Sequence, residues 1–208
     1  PVAEGNFIGA VGLVIPGVEV KLVPDGEILT RSASVMQGYY NRPDLTAEVI
    51  DQEGWMHIGD IGEFVQGKFL KITDRKKELF VTSGGKNVAP HPIEVALISR
   101  PYIDQACLLG DGRKYLTALI IPDFESLKRY AKDKGISYAT QAELAAHPDI
   151  KALIAKEVDE VNAGLARYEQ VKYFTILDKA FEVETGELTP TLKIKRRVVN
   201  EKFRDQIE

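Results

Sequence analysis

Four short stretches of this 208-residue chain carry side chains suited to chemistry. Asp60 follows Gly59 at the end of the β-forming run Trp55–Ile58, which predicts a carboxylate in a turn after a strand. A carboxylate so placed accepts hydrogen bonds from two neighbouring hydroxyls, the chemistry needed to hold a ribose diol, and bonds to a charged group contribute about 1.5–3 kcal/mol each. Taken alone, a Gly-Asp pair is better explained as a turn cap. Asp74-Arg75-Lys76 reads on its own as a solvated turn, yet a short polar joint between two packed units also absorbs large backbone changes. Gly84-Gly85-Lys86 sits in the loop Thr82–Pro90. Asn87 follows the lysine and no glycine stands five residues before Gly85, so this is not a Walker phosphate loop. The paired glycines permit close backbone approach to a ligand or another domain, and an ordinary hairpin loop accommodates them equally well. The fourth stretch, Leu188–Arg197 (LTPTLKIKRR), is basic. Its plain reading is a solvated final helix.

The elements that must position these residues divide in two. Up to about residue 72 the chain is rich in glycine and β-formers, with short runs at Val18–Val23, Glu27–Thr30, Trp55–Ile58 and Phe69–Ile72 and turns at Pro24-Asp25-Gly26 and Gln66-Gly67, which predicts a small antiparallel β unit. Pro43 opens one or two helical turns over Asp44–Ile50, and Trp55 and the Tyr39-Tyr40 pair are expected packing anchors. After Thr73 the texture alternates. Strands are predicted at Glu78–Thr82, Gln105–Leu109, Tyr115–Ile121 and Val171–Leu177, and helices at Pro92–Arg100 and at Phe124–Lys134 closed by Gly135. A longer helix begins at Pro148, with Ile150, Ile154, Val158, Val161 and Leu165 in one stripe. A polar stretch, Glu182–Pro190, separates this part from a basic amphipathic end marked by Val199, Phe203 and Ile207. The boundary is expected near Asp74, giving segments 1–73 and 74–208 of an α+β protein.

Composition narrows the class. Hydrophobic residues make up 44% and charged residues 28% of the chain, ordinary values for a folded globular protein and not for a disordered or low-complexity one. A net charge of −4 gives no reason to expect a nucleic-acid or anionic-membrane partner. No apolar run is long enough for a membrane span, and none follows a basic cluster as in a signal peptide. The single cysteine, Cys107, cannot form an internal disulfide, so a reducing cytosol is the expected compartment and a buried small hydrophobe its expected role. His57, His91 and His147 are far apart and no cluster has ligand spacing, so no metal site is expected. The first residue is Pro1 rather than Met, in a β-rich stretch, which suggests a piece of something longer.

Three segments in this order, GEILTRSASVMQGYYNRP with GWMHIGD, GKFLKITDRKKELFVTSGGKNVAP, and LTPTLKIKRR, resemble the adenylate-forming superfamily of acyl-CoA synthetases, luciferases and peptide-synthetase adenylation domains. ITDRKKELFVTSGGKNVAP and the following HPIE are most similar to the long-chain fatty-acid–CoA ligase branch. The resemblance implies the end of a large domain, a barrel-like β subdomain, followed by a mobile C-terminal lid with a small antiparallel sheet flanked by helices. It implies that Asp60 binds the nucleotide ribose, although Ile58 stands where the family has a threonine. It further implies that Asp74 is a hinge, that Arg75 reaches the ribose, and that Gly84, Gly85 and Lys86 line the channel for the pantetheine arm of CoA. Lys193 becomes the expected catalytic residue, with Leu192 in place of the family's glycine and Arg197 as the distal basic residue; Lys76, Lys77, Lys195, Arg196, Lys202 and Arg204 are left as solvated. Substrates of the full-length enzyme would be a fatty acid, ATP with Mg2+, and CoA, and its partner the N-terminal domain of the same chain. The fragment alone is expected to be inactive. A short-chain, aryl or amino acid substrate, a non-catalytic nucleotide-binding or interaction module, and peripheral membrane association of the parent remain open.

Overall fold

The computed structural model describes residues 7–207, so the expectation attached to Pro1 lies outside it. The chain forms two compact units, Pro1–Leu79 and Phe80–Glu208. The division falls beyond Asp74 because strand pairing in the first unit runs through Arg75.

The first unit contains β1 (Gly12–Leu13), β2 (Val18–Leu22), β3 (Glu27–Ser32), the short helix α1 (Pro43–Val49), β4 (Met56–Val65) and β5 (Phe69–Arg75). The strands form one sheet in the order β1-β5-β4-β3-β2, every pair antiparallel. No ladder joins β1 to β2 among the described residues, so the barrel-like unit is an open sheet. The β4–β5 turn places both Gln66 and Gly67 at positive φ (52° and 69°), the geometry whose twist matches that of the flanking strands. Ile28, Leu29, Trp55 and Phe69 are buried. Trp55 is an anchor as expected, with Lys21 Nζ 4.1 Å and the Arg31 guanidinium 4.4 Å from its ring centroid. The tyrosine pair is not: Tyr40 is 92% exposed and Tyr39 half exposed, because both lie in the irregular stretch between β3 and α1 and not on an inward strand position.

The second unit begins with a small hairpin, β6 (Phe80–Val81) and β7 (Asn87–Val88), followed by α2 (Pro90–Ile98). Next come β8 (Ile103–Leu109) and β9 (Leu116–Pro122), then α3 (Phe124–Lys134), α4 (Gln141–Ala146) and α5 (Pro148–Asn162). The chain closes with β10 (Val171–Ile176), α6 (Arg196–Lys202) and α7 (Arg204–Ile207). Asp123 caps α3 by accepting from the amides of Glu125 and Ser126, and Gly135 ends it in the left-handed conformation at φ 68°. The expected strand at Glu78–Thr82 shrinks to two residues because Lys76–Glu78 turn into a short 3₁₀ helix. The sheet order is β10-β9-β8. Its β8–β9 pair is antiparallel, but β10 runs parallel to β9, because the helices α3, α4 and α5 carry the chain back before β10 begins. The sheet of this unit is thus mixed and not wholly antiparallel, within the α+β class expected.

β8 and β9 are buried on both faces, which explains their nearly unbroken apolar sequences. Ala106, Leu108, Ala118 and Ile120 face a core built with Ile93 and Leu97 of α2, Leu127 of α3, Leu144 of α4 and Ile150, Ile154 and Val158 of α5. The alternate residues Cys107, Leu109, Leu119 and Ile121 face a second core made with Leu177, Phe181, Leu188 and Val199, against which Phe203 and Ile207 pack. Each large side chain buried this way contributes about 1.5–3 kcal/mol. The C-terminal segment is therefore one cover of a two-faced sheet. The stretch Glu182–Pro190, expected as a polar separator, buries Glu187 and Leu188 within that cover.

Gly62 of β4 has no room for a side chain, since a Cβ would stand 2.6 Å from both the Lys71 carbonyl oxygen and Ile28 Cδ1. Gly62→Ala is expected to destabilise the first unit by about 1–3 kcal/mol, read as a lower urea midpoint by the fluorescence of Trp55, the chain's one tryptophan. An unchanged midpoint would contradict the tight β4–β5 approach.

Candidate functional site

The residues singled out by sequence fall into two sets, one in each unit. Asp60 and Arg75 belong to the first and are brought together. Asp60 sits inside β4 rather than in a turn after it, for a reason visible in the ladders. Leu29 pairs with His57 and Glu27 with Ile61, so three β4 residues, Ile58 to Asp60, oppose one residue of β3. Gly59 at φ 73° makes this bulge, and bulges re-aim the side chains they carry. On the other side Asp60 pairs with Arg75, whose Nε lies 2.9 Å from Asp60 Oδ1. The ion pair lacks hydrogen-bond alignment, which leaves Oδ1 buried without a hydrogen-bond donor. Such an atom is costly unless something completes it. The Arg75 side chain is 69% exposed, so it is tethered at its base and open at its surface. Asp74 is buried, and its Oδ1 accepts from the Arg75 amide at 2.6 Å.

Lys76, expected as solvated, is not. Its ammonium lies 2.8 Å from both Asp25 Oδ2 and Glu27 Oε2. Glu27 is itself buried and also 2.9 Å from His57 Nδ1. Burial alone would raise the Glu27 carboxyl, but Lys76 and then His57 outweigh it and hold it below the usual range. Asp25 and Glu27 in turn raise Lys76. The cluster pins the turn that follows β5 to the β2–β3 end of the same sheet.

In the second unit, Gly84, Gly85 and Lys86 form the tip of the β6–β7 hairpin. The Thr82 amide donates to the Lys86 carbonyl at 3.0 Å, the Lys86 amide to Thr82 Oγ1 at 3.1 Å and the Gly85 amide to the Thr82 carbonyl at 2.8 Å. Gly85 takes φ 70°. The β8–β9 turn braces the hairpin, with Ser83 donating to the Arg113 carbonyl, Gly112 to that of Val81, and Val81 to Asp111 Oδ1. A Cβ at Gly85 would meet nothing within 4 Å, so the tip is open, and Lys86 is exposed.

Lys193 ends a tight turn. Thr189 N donates to the Lys193 carbonyl and Leu192 N to that of Thr189, both at 2.8 Å, while Lys193 N donates to Thr189 Oγ1 at 3.0 Å. Leu188 and Ile194 are bridged antiparallel below it. Leu192 has φ 60°, the left-handed region that suits glycine, which is the residue the resembled family places here. The Lys193 side chain is exposed on this fixed turn, as is Lys195. Arg197 is 90% exposed and makes only a surface pair with Glu201 at 3.1 Å.

Two residues expected as solvated are instead anchors of this segment. Arg196 meets Glu94 and Lys202 meets Glu187, and both carboxylates are buried. Burial would raise Glu187, yet Lys202 foremost, followed by the Thr185 hydroxyl, lowers it to about 2. The signal for Glu94 was present in the sequence: a carboxylate beside Ile93 and one turn from Leu97 sits on an apolar helix face and requires a partner. Glu187 gave no such signal, because its neighbours are polar. Cys107 is buried, and desolvation pushes its thiol up to about 12, consistent with packing and not with reactivity. Among the described residues no group of His, Cys, Asp or Glu could hold a metal ion, and no helix is long and apolar enough to cross a membrane.

Comparison with known proteins gives this geometry its class. Residues 77–208 match the family model of the AMP-binding enzyme C-terminal domain, and the chain belongs to that family. It is 41% identical over 97% of its length to the long-chain-fatty-acid–CoA ligase FadD15 of Mycobacterium tuberculosis, covering 34% of that protein. It is 38% identical over 96% of its length to the human long-chain-fatty-acid–CoA ligase 6, covering 31% of it. The chain thus spans about a third of the length of these curated relatives. Among solved structures, the adenylation domain of a carboxylate reductase from Mycobacterium chelonae superposes with a TM-score of 0.68 at 26% identity over 97% of this chain and 33% of that one. The corresponding domain from Segniliparus rugosus, at 0.69 and 23%, shares the fold over the same fractions.

Two outcomes test the anchoring of the Lys193 turn. Glu187 has a folded-state pKa of about 2 against an ordinary 4.5, so its pair with Lys202 contributes fully above pH 4.5 and is lost as pH falls toward 2. Acid titration of the wild-type second unit should lose on the order of 1–3 kcal/mol over that interval that Glu187→Gln does not lose; equal losses would contradict the assignment. Leu192→Gly should stabilise the unit by about 0.5–1 kcal/mol in thermal unfolding, because relief of a left-handed leucine exceeds the added unfolded-state entropy.

Proposed function

We propose that this chain is the C-terminal part of an ATP-dependent fatty-acid–CoA ligase: the last β unit of the large domain followed by the lid. Two reactions follow one another. A fatty-acid carboxylate oxygen attacks the α-phosphorus of ATP and the bond to pyrophosphate breaks, giving the acyl-adenylate. The thiol of CoA then gives up its proton and attacks the acyl carbon, and AMP leaves as the thioester forms.

In the first step negative charge concentrates between two anions. The Lys193 ammonium offsets that repulsion, and the observation that carries the reading is its placement: an exposed lysine on a turn locked by Thr189 and anchored through Lys195 and its neighbours. One such preorganised charge contributes about 10²–10³ in rate. Asp60 receives the ribose hydroxyls, and its buried Oδ1 without a hydrogen-bond donor supports that role, as the open guanidinium supports Arg75 beside it. For the second step the lid turns about Asp74, withdrawing Lys193 and advancing the Gly84-Gly85-Lys86 tip toward the pantetheine arm. The openness of that tip supports close approach. Mg2+ would accompany ATP, and the described residues offer it no ligand cluster. The partners are then the N-terminal domain and the small-molecule substrates, in the cytoplasm. Similarity to long-chain ligases at about 40% identity favours a long-chain acid.

In the full-length enzyme, Lys193→Ala should slow adenylate formation, followed as pyrophosphate release, by about 10²–10³, while thioester formation from supplied acyl-adenylate changes little. Equal loss in both half-reactions would overturn the role of Lys193.

A further inference from the structure

Arg196 opens α6 three residues after Lys193 and turns its guanidinium into the second unit. Nη1 donates to the Leu108 carbonyl at 2.7 Å and to Glu94 Oε1, and Nη2 donates to Glu94 Oε2 at 3.1 Å. Glu94 Oε1 also accepts the Leu108 amide at 2.7 Å. The guanidinium carbon lies 5.3 Å from the centroid of Phe80. One planar cation therefore ties four elements, α6, α2, β8 and β6, with both partners' side chains mostly buried (22% and 10% exposed). Two of these elements lead directly to the candidate chemistry. The backbone entering α6 is the end of the Lys193 turn, where Lys195 N donates to the Glu187 carbonyl at 2.7 Å. Phe80 opens β6, and two residues later Thr82 closes the Gly84-Gly85-Lys86 tip. A bidentate guanidinium that also lies over an aromatic ring fixes direction as well as distance, which a lysine cannot reproduce.

We infer that Arg196 is a positioning residue that, through Glu94, holds the Lys193 turn and the Thr82–Lys86 hairpin in one rigid frame, so that the groups used in successive half-reactions keep a fixed relation as the lid moves. This deepens the reading of Lys193 given above and rests on it for its functional meaning. The frame itself does not depend on that reading. Neither residue touches substrate; each acts through the backbone it restrains.

Hydrogen exchange of the full-length enzyme tests the frame. Arg196→Met is expected to speed exchange at least tenfold in two separate peptides, one covering Thr189–Lys195 and one covering Val81–Val88, with Glu94→Gln giving a smaller change in both. Arg196→Lys should fall between Arg196→Met and wild type. Per molecule of folded enzyme, kcat should drop at least fivefold in both half-reactions with KM for ATP within twofold. Exchange unchanged within twofold in either peptide overturns the proposal, whatever Lys193 does. So does an unchanged kcat per folded molecule, which would reduce the pair to a fold-stabilising contact. If Arg196→Met fails to fold, Glu94→Gln decides by the same exchange and kcat criteria. Should Lys193→Ala harm both half-reactions alike while the two peptides still loosen together, the frame is upheld and the role of Lys193 is what fails.

Discussion

The second unit depends on a hairpin that is apolar on both sides. Every residue of β9 and five of the seven residues of β8 are buried, with alternate side chains committed to opposite faces. Helices α2 to α5 cover one face, and residues from Leu177 onward, with Phe124 at the start of α3, cover the other. The candidate catalytic segment is therefore not an appendage on a finished domain. Leu188, Ile194 and Val199 are core or core-contacting positions, and the turn that carries Lys193 protrudes between Leu188 and Ile194, which bridge at its base. Packing thus supplies the precision that an exposed lysine on a free tail would lack.

Charge is used in the same way within each unit. Lys76 is gripped by Asp25 and Glu27, with His57 behind them, and Arg196 and Lys202 are gripped by Glu94 and Glu187. In each case a carboxylate buried to a few per cent exposure would be untenable alone, and a basic residue from another element completes it. Removing one partner of such a pair is far more damaging than the pair is stabilising. That asymmetry makes these contacts sharp determinants of local geometry even where their net contribution to stability is modest.

Much of this was legible in the sequence, for reasons that are local. Periodicity located α5, because Ile150, Ile154 and Val158 recur on one side of a single helix, and capping chemistry bounded α3 between Asp123 and Gly135. The motifs singled out Asp60, Asp74 and Lys193 as candidates. The rest turns on pairing between distant residues. The bulge that holds Asp60 exists only in the register of β4 against β3, and nothing within GWMHIGD marks it beyond Gly59. The parallel placement of β10 depends on where three helices return the chain. Lys76, Arg196 and Lys202 looked solvated because each lies in a basic run, and their acidic partners are tens of residues away in all but one case. Tyr39 and Tyr40 show the converse error, since aromatic character promises burial only where an element turns the ring inward.

The mixed sheet also dictates an order of assembly. β8 and β9 pair early, through a short turn, but they offer two sticky faces until the rest of the unit is made. The first face closes once α5 has been synthesised. The second is completed only when Val199 and Phe203 have been added, about 80 residues after β9 ends at Pro122, so the growing chain carries a partly uncovered apolar surface over that interval. Exposure of that surface to chaperones and proteases during synthesis is the expected consequence of completing a core with a segment that lies far along the chain from the strands it covers.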